Sequence, residues 1–121
     1  ENIMFALLEQ IVSIPEWNHL GIMPQYPLRL LVKSDILLTE SEKAYANRSW
    51  TLVDFVLYNK TTKHPILAIE VDGMAFHQAG SEQAKRDELK NSILDKAGIP
   101  LLRLSTDGSN EKSKIINALS R

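Results

Sequence analysis

Three carboxylates interrupt two neighbouring apolar runs. Asp54 sits inside "LVDFVLY", and Glu70 and Asp72 stand two residues apart at the end of "PILAIEVD". Side chains alternate faces along a strand, so Glu70 and Asp72 share a face with Ile66 and Ala68. Leu67, Ile69 and Val71 take the other face. Pairing that apolar set with Phe55 and Leu57 brings Asp54 to the same face as Glu70, and a simple hairpin register sets the two acids opposite each other. At about 4 Å and an effective dielectric near 20, two such charges repel by roughly 4 kcal/mol. Something positive must offset this, or one acid must stay protonated. A divalent cation does so, since Mg²⁺ is held by one or two carboxylates, its own waters and a substrate phosphate. The other remedy is a salt-bridged polar face with lysine and arginine as partners.

A second signal comes from residues 82–97, which read as a long helix. Placed at about 100° per residue, Arg86, Lys90, Ile93 and Ala97 form one stripe, with Gln83 nearby. The apolar half of the stripe is expected to pack on the sheet, which turns the two cations inward. Inward cations need acidic partners, and Asp54, Glu70 and Asp72 are available. They are either plain counter-ions, or Lys90 orients an attacking water and offsets charge at a phosphorane. If the acids only repel, Glu70→Ala raises thermal stability in the metal-free protein. A clear loss instead marks Glu70 as a structural salt-bridge acid.

The elements that would position these groups follow from periodicity. Residues 2–12 form an amphipathic helix on Ile3, Met4, Leu7, Leu8 and Ile11. Pro15 ends it, and "PEWNHLG" reads as a loop. Residues 25–33 are assigned to a strand, and 34–48 show no clear periodicity. Residues 49–58 and 65–72 read as strands joined through "NKTTKH". Gly98 and Pro100 stop the long helix. "PLLRLS" is a short strand, and Ser109 or Asn110 caps a last helix. The order predicts an α/β fold, a mixed sheet with helices on both faces, with strand 100–105 joined to strand 65–72 by a parallel crossover. Arg103 reads as the structural partner of a buried acid, with a phosphate clamp as the other reading. Trp50 and Tyr58 are assigned to packing rather than base stacking, and His19 and His64 receive no role.

Composition narrows the function classes. The chain has 121 residues, enough for one domain, with 44% hydrophobic and 24% charged residues. It begins at Glu1 without an initiator Met, so it reads as a piece of a longer protein. There is no cysteine, which removes disulfides, cysteine–zinc sites and thiol nucleophiles and fits a reducing, cytoplasmic setting. No apolar run approaches the roughly 20 residues that span a bilayer. Net charge is −1, so phosphate binding, if present, is local, metal-assisted or helped by other domains.

The ordered set "VDFVL", "AIEVDG", "RDELK" and "AGIPLLRL" resembles the PD-(D/E)xK restriction-endonuclease-like nuclease superfamily. Within it the chain is most similar to very-short-patch-repair endonucleases and to small bacterial nuclease-like domains, some appended to DNA helicases. The resemblance covers residues 50–105 well, the first helix plausibly, and 13–49 hardly at all. It implies a restriction-endonuclease-like sheet, DNA as substrate, and Mg²⁺ or Mn²⁺ as cofactor, in DNA repair, restriction or processing. It implies that Asp54 and Glu70, with the Val71 carbonyl, hold the metal. Asp72 stands where the superfamily usually carries its lysine, so Lys90 is the candidate for a migrated residue. Asp72 is then another ligand or the partner of Arg86. "GMAFH" is similar to the Gly-x-x-aromatic-His segment of the repair endonucleases, which makes His77 a candidate base. "ENIMFALL" matches the first helix of related domains, with Glu1 as an acid touching the metal. The alternative is a catalytically inactive module that binds nucleic acid or a partner protein, and a third reading is a purely structural interaction domain.

Overall fold

The computed structural model describes residues 2–72, 81–105 and 110–121, with the side chains of Asn2 and Asp72 excepted. Among the described residues four α-helices and four strands follow in the order α1 (Asn2–Val12), β1 (Leu20–Pro27), α2 (Glu40–Ala46), β2 (Leu52–Asn59), β3 (Pro65–Asp72), α3 (Glu82–Ala97), β4 (Leu101–Ser105) and α4 (Glu111–Leu119). The strands form one sheet in the order β1-β2-β3-β4. β1–β2 and β2–β3 are antiparallel, whereas β3 and β4 are parallel, joined through α3 as the crossover rule requires. This is a mixed α/β sheet flanked by helices. Among the described residues no helix is long and apolar enough to cross a membrane.

Two apolar clusters lie on the two faces of the sheet. Phe55, Leu57, Leu67 and Ile69 pack with Met4, Leu8 and Ile11 of α1 and Ile115 of α4. Val56 and Ala68 pack on the opposite face with Tyr45 of α2 and with Ile93 and Leu94 of α3. The alternation expected for β2 and β3 therefore holds, and the acid-bearing face is the one that α3 covers. α3 begins at Ser81, whose hydroxyl accepts from the Ala84 N–H at 3.1 Å. It ends at Gly98 in the left-handed region, φ 76°, with the Ile99 N–H bonding back to the Leu94 carbonyl at 3.0 Å.

Residues 15–33 fold differently from the sequence expectation. The strand runs Leu20–Pro27, not 25–33, and Leu28–Leu31 is a short 3₁₀ turn. Pro27 lacks an N–H for the ladder, and Leu28 and Leu31, three residues apart, both point into the core, the spacing a 3₁₀ turn eclipses. Gly21 belongs to the strand rather than the loop. A Cβ there would stand 2.5 Å from the Tyr58 ring of β2, so the glycine is required by close packing. The aperiodic 34–48 stretch contains α2, opened by a capping box. The Thr39 hydroxyl accepts from the Glu42 N–H at 3.1 Å, and the Glu42 carboxylate accepts from the Thr39 N–H at 2.7 Å.

Candidate active site

The sheet opens at the acids. The β2–β3 ladder runs through Leu57–Leu67 and Val56–Ala68 to Phe55–Ile69, and extending that register sets Asp54 opposite Glu70. Beyond Phe55–Ile69, β2 remains paired with β1 as far as Leu52, and β3 remains paired with β4 as far as Asp72. The two carboxylates take over the bonding across the gap. Glu70 Oε2 accepts from the Asp54 N–H at 2.8 Å, and Asp54 Oδ2 accepts from the Val71 N–H at 2.8 Å. Each acid thus binds the main chain of the opposite strand.

Lys90 closes the arrangement from α3. Its ammonium donates to Glu70 Oε1 at 2.6 Å and to the Leu52 carbonyl at 2.8 Å. The pair is desolvated, with only 11% of the Lys90 side chain and 9% of the Glu70 side chain exposed. Two of the three ammonium hydrogens are therefore placed, and among the described residues the third has no acceptor. Asp54, Glu70 and Lys90 come together from three elements, and Val71 lies at the same opening through its N–H. Glu1 and His77 lie outside the described residues. Asp72 occupies the last position of β3, but its side chain lies outside the description too.

Two members of the helix stripe part company. Lys90 and Ile93 are buried, while Arg86 is exposed and makes no ion pair with a described residue. At the start of α3 the helix has not yet met the sheet, so one turn separates a desolvated cation from a solvated one. Arg103 of β4 reaches α3, donating to Asn91 Oδ1 at 2.9 Å and standing 3.6 Å from Asp87 Oδ1. It pairs with an acid, as expected, although Asp87 is only partly buried.

The sequence reading missed a second polar centre. Glu42, 4% exposed, accepts from the Lys96 ammonium at 2.6 Å and from the Ser92 hydroxyl at 2.5 Å, in addition to the Thr39 N–H. The Lys96, Ser92 and Thr39 hydrogen bonds hold its carboxyl down at about 2, from an ordinary 4.5. This brace ties α2 to α3 and so fixes the helix that carries Lys90. Thr-x-x-Glu at 39–42 was its signal. Burial pushes the Tyr45 hydroxyl above its ordinary pKa, so it is a neutral phenol at the same interface.

Trp50 also departs from the packing role assigned to it, because it is 73% exposed. It lies on the rim of a cleft of about 400 Å³ that shares Leu52 and Lys90 with the acid cluster. A larger cleft, about 470 Å³, lies at the hairpin end of the sheet around Tyr58, Lys63 and His64, and contains none of the acids.

The donor set is compatible with one metal class. Carboxylate oxygens and a main-chain carbonyl are hard donors suited to Mg²⁺ or Mn²⁺, and Mg²⁺ takes only one or two carboxylates while keeping its waters. Among the described residues no group of three or more His, Cys, Asp and Glu side chains converges.

Residues 1–121, the whole chain, match a family described as Protein of unknown function (DUF2726). The chain belongs to the DUF2726 family. No curated protein and no solved structure matches the chain.

Proposed function

We propose that the chain is a metal-dependent DNA endonuclease-like domain of the PD-(D/E)xK type, which hydrolyses phosphodiester bonds in DNA repair, restriction or DNA processing. One observation carries the reading. A lysine from the crossover helix reaches the strand acid at 2.6 Å, beside a second acid on the adjacent strand, at the point where β2 and β3 separate. An Asp, a Glu and a Lys are thereby gathered although the strand position expected for lysine holds Asp72. Asp54, Glu70 and the Val71 carbonyl would hold Mg²⁺ or Mn²⁺. Bound there, the metal supplies charge neutralisation at the phosphate and acidifies a ligand water. Lys90 offers its third N–H to the attacking water or a phosphate oxygen, His77 is the second candidate for handling the proton, Asp72 at the end of β3 is a further acid, and Glu1 is the acid that the resemblance adds.

A specific observation favours a second reading, an inactive nuclease-like module that binds nucleic acid or a partner protein. Glu70 is already bonded to Lys90 and to the Asp54 N–H, and every buried side-chain N or O among the described residues has a partner. Calorimetry with Mn²⁺ separates the two. The nuclease reading expects binding in the wild type that disappears in Asp54→Asn, together with metal-dependent cleavage of plasmid or branched DNA lost in the same variant. No heat and no thermal shift at millimolar Mn²⁺ sinks it.

A further inference from the structure

The cleft beside Lys90 has the chemistry of a strand-binding groove. Its walls include Tyr45, Arg48, Trp50, Gln83 and Arg86, and Leu52 and Lys90 connect it to the acids. The turn that carries Trp50 is fixed at both ends. The Thr51 N–H bonds to the Arg48 carbonyl at 3.1 Å, and the Thr51 carbonyl accepts from the Leu28 N–H at 3.0 Å. An indole held out to solvent on a braced turn loses the burial that usually rewards tryptophan and retains a face for a planar partner. Arg48 is held 5.9 Å above the buried Tyr45 ring, which orients its guanidinium without neutralising it. Arg86 lies one helical turn before Lys90 and is exposed. Glu82 is the acid of the cleft, and Lys85 stands 3.6 Å from its carboxylate. The cleft is thus locally basic in a chain of net charge −1.

We infer that this cleft binds an unpaired stretch of DNA strand, one base stacked on the Trp50 indole and the flanking phosphates on Arg48 and Arg86. The inference deepens the nuclease reading and rests on it for the identity of the strand. It selects single-stranded, flapped or otherwise unpaired DNA over continuous duplex, because a stacked base hides its π-face from an indole. Lys90 and Leu52 belong to both the cleft and the acid cluster, so a strand lying in the cleft leads to the acids.

The test is fluorescence anisotropy on the full chain with a labelled single-stranded oligodeoxynucleotide and a duplex of equal length. EDTA is present, so binding is read apart from cleavage. The single strand is expected to bind more tightly than the duplex and to quench tryptophan emission. Trp50→Ala is expected to weaken binding about tenfold or more, with partial recovery in Trp50→Phe. Arg48→Ala and Arg86→Ala are each expected to reduce the slope of log affinity against log salt by about 0.7. All three positions varied carry exposed side chains, and circular dichroism checks that each of the four variants is folded. Variants that bind like wild type, or a duplex bound at least as tightly as the single strand, overturn the inference. The two proposals fail separately. Trp50-dependent strand binding without Mn²⁺ binding upholds the cleft and defeats the nuclease reading. Mn²⁺-dependent cleavage indifferent to Trp50, Arg48 and Arg86 does the reverse.

Discussion

Removing the Lys90 ammonium while keeping its bulk, as Lys90→Met, tests whether the acid cluster is held by that one cation. The wild-type pair is buried, and Lys90 also caps the Leu52 carbonyl. Breaking a buried pair from one side costs about 3–5 kcal/mol, chiefly because the remaining charge stays desolvated. Glu70→Gln keeps one acceptor oxygen for the Asp54 N–H but turns its NH₂ toward Lys90 and leaves that cation unpaired, which also costs about 3–5 kcal/mol. Independent effects would sum to roughly 6–10 kcal/mol, enough to unfold many domains of this size. In the double variant no charge is left unpaired between these two positions, so the loss is expected to be smaller than the sum by at least about 2 kcal/mol. Urea denaturation in EDTA, followed by circular dichroism, gives the three differences from midpoints at constant m-value. Additivity within about 0.5 kcal/mol would refute the argument, since it would mean that Lys90 and Glu70 do not depend on each other. The same geometry reverses the sign expected from repulsion alone. Glu70→Ala in the metal-free protein is now expected to lower stability, because it strands both Lys90 and the Asp54 N–H.

Three further outcomes follow from the positions of single residues. Glu42 has its folded pKa depressed to about 2, so its contribution is present above the ordinary 4.5 and is lost as pH falls from there toward 2. The urea midpoint of Glu42→Gln is expected to be lower than wild type at pH 7 and to change less between pH 4.5 and pH 2; an acid limb as steep as wild type would assign that loss to other groups. Gly21→Ala places a methyl 2.5 Å from the Tyr58 ring and is expected to cost about 1–3 kcal/mol through displacement of that ring, seen as a change in near-UV dichroism. Gly98→Ala meets nothing within 4 Å, so its expected cost of about 1–2 kcal/mol comes only from φ 76° and leaves the near-UV signal unchanged.

The parts of the molecule legible in the sequence were those where one period dominates. α1 and β3 have the expected bounds because their apolar positions recur without competition, and α3 has them because Gly98 allows only one end to the helix. The acid register was legible for the same reason: alternation along two consecutive strands leaves one way to bury Phe55, Leu57, Leu67 and Ile69 together. Residues 15–48 were opaque because their structure depends on distant partners. Gly21 reads as a breaker until Tyr58 covers it. Leu28 and Leu31 read as strand until Pro27 ends the ladder. Glu42 lies in the aperiodic stretch, and its enclosure comes from Ser92 and Lys96, fifty or more residues on. Trp50 was misjudged in the other direction, since composition suggests burial and only the tertiary fold leaves it outside.

Topology brings a helix lysine over the strand acid Glu70. For β4 to lie parallel beside β3, with Ala68 opposite Leu101, the chain must return from the end of β3 to its beginning, and α3 is the element that makes the return. Its last turn is therefore near Ala68, where the Ala68 N–H bonds to the Pro100 carbonyl at 2.9 Å, and its earlier turns lie over the end of β3. A residue at mid-helix on the sheet-facing stripe must then pass above Glu70, which is where Lys90 stands. Arg86, one turn earlier, has already run past the covered sheet and faces the cleft instead. Placing the cation on the helix has a consequence that a strand lysine would not have. Its position depends on how α3 sits on the sheet, where Ile93 and Leu94 are buried and Glu42 of α2 bonds Ser92 and Lys96. The α2–α3 brace and the acid cluster therefore share one helix, and Lys90 is the only cation found within bonding distance of Glu70 among the described residues.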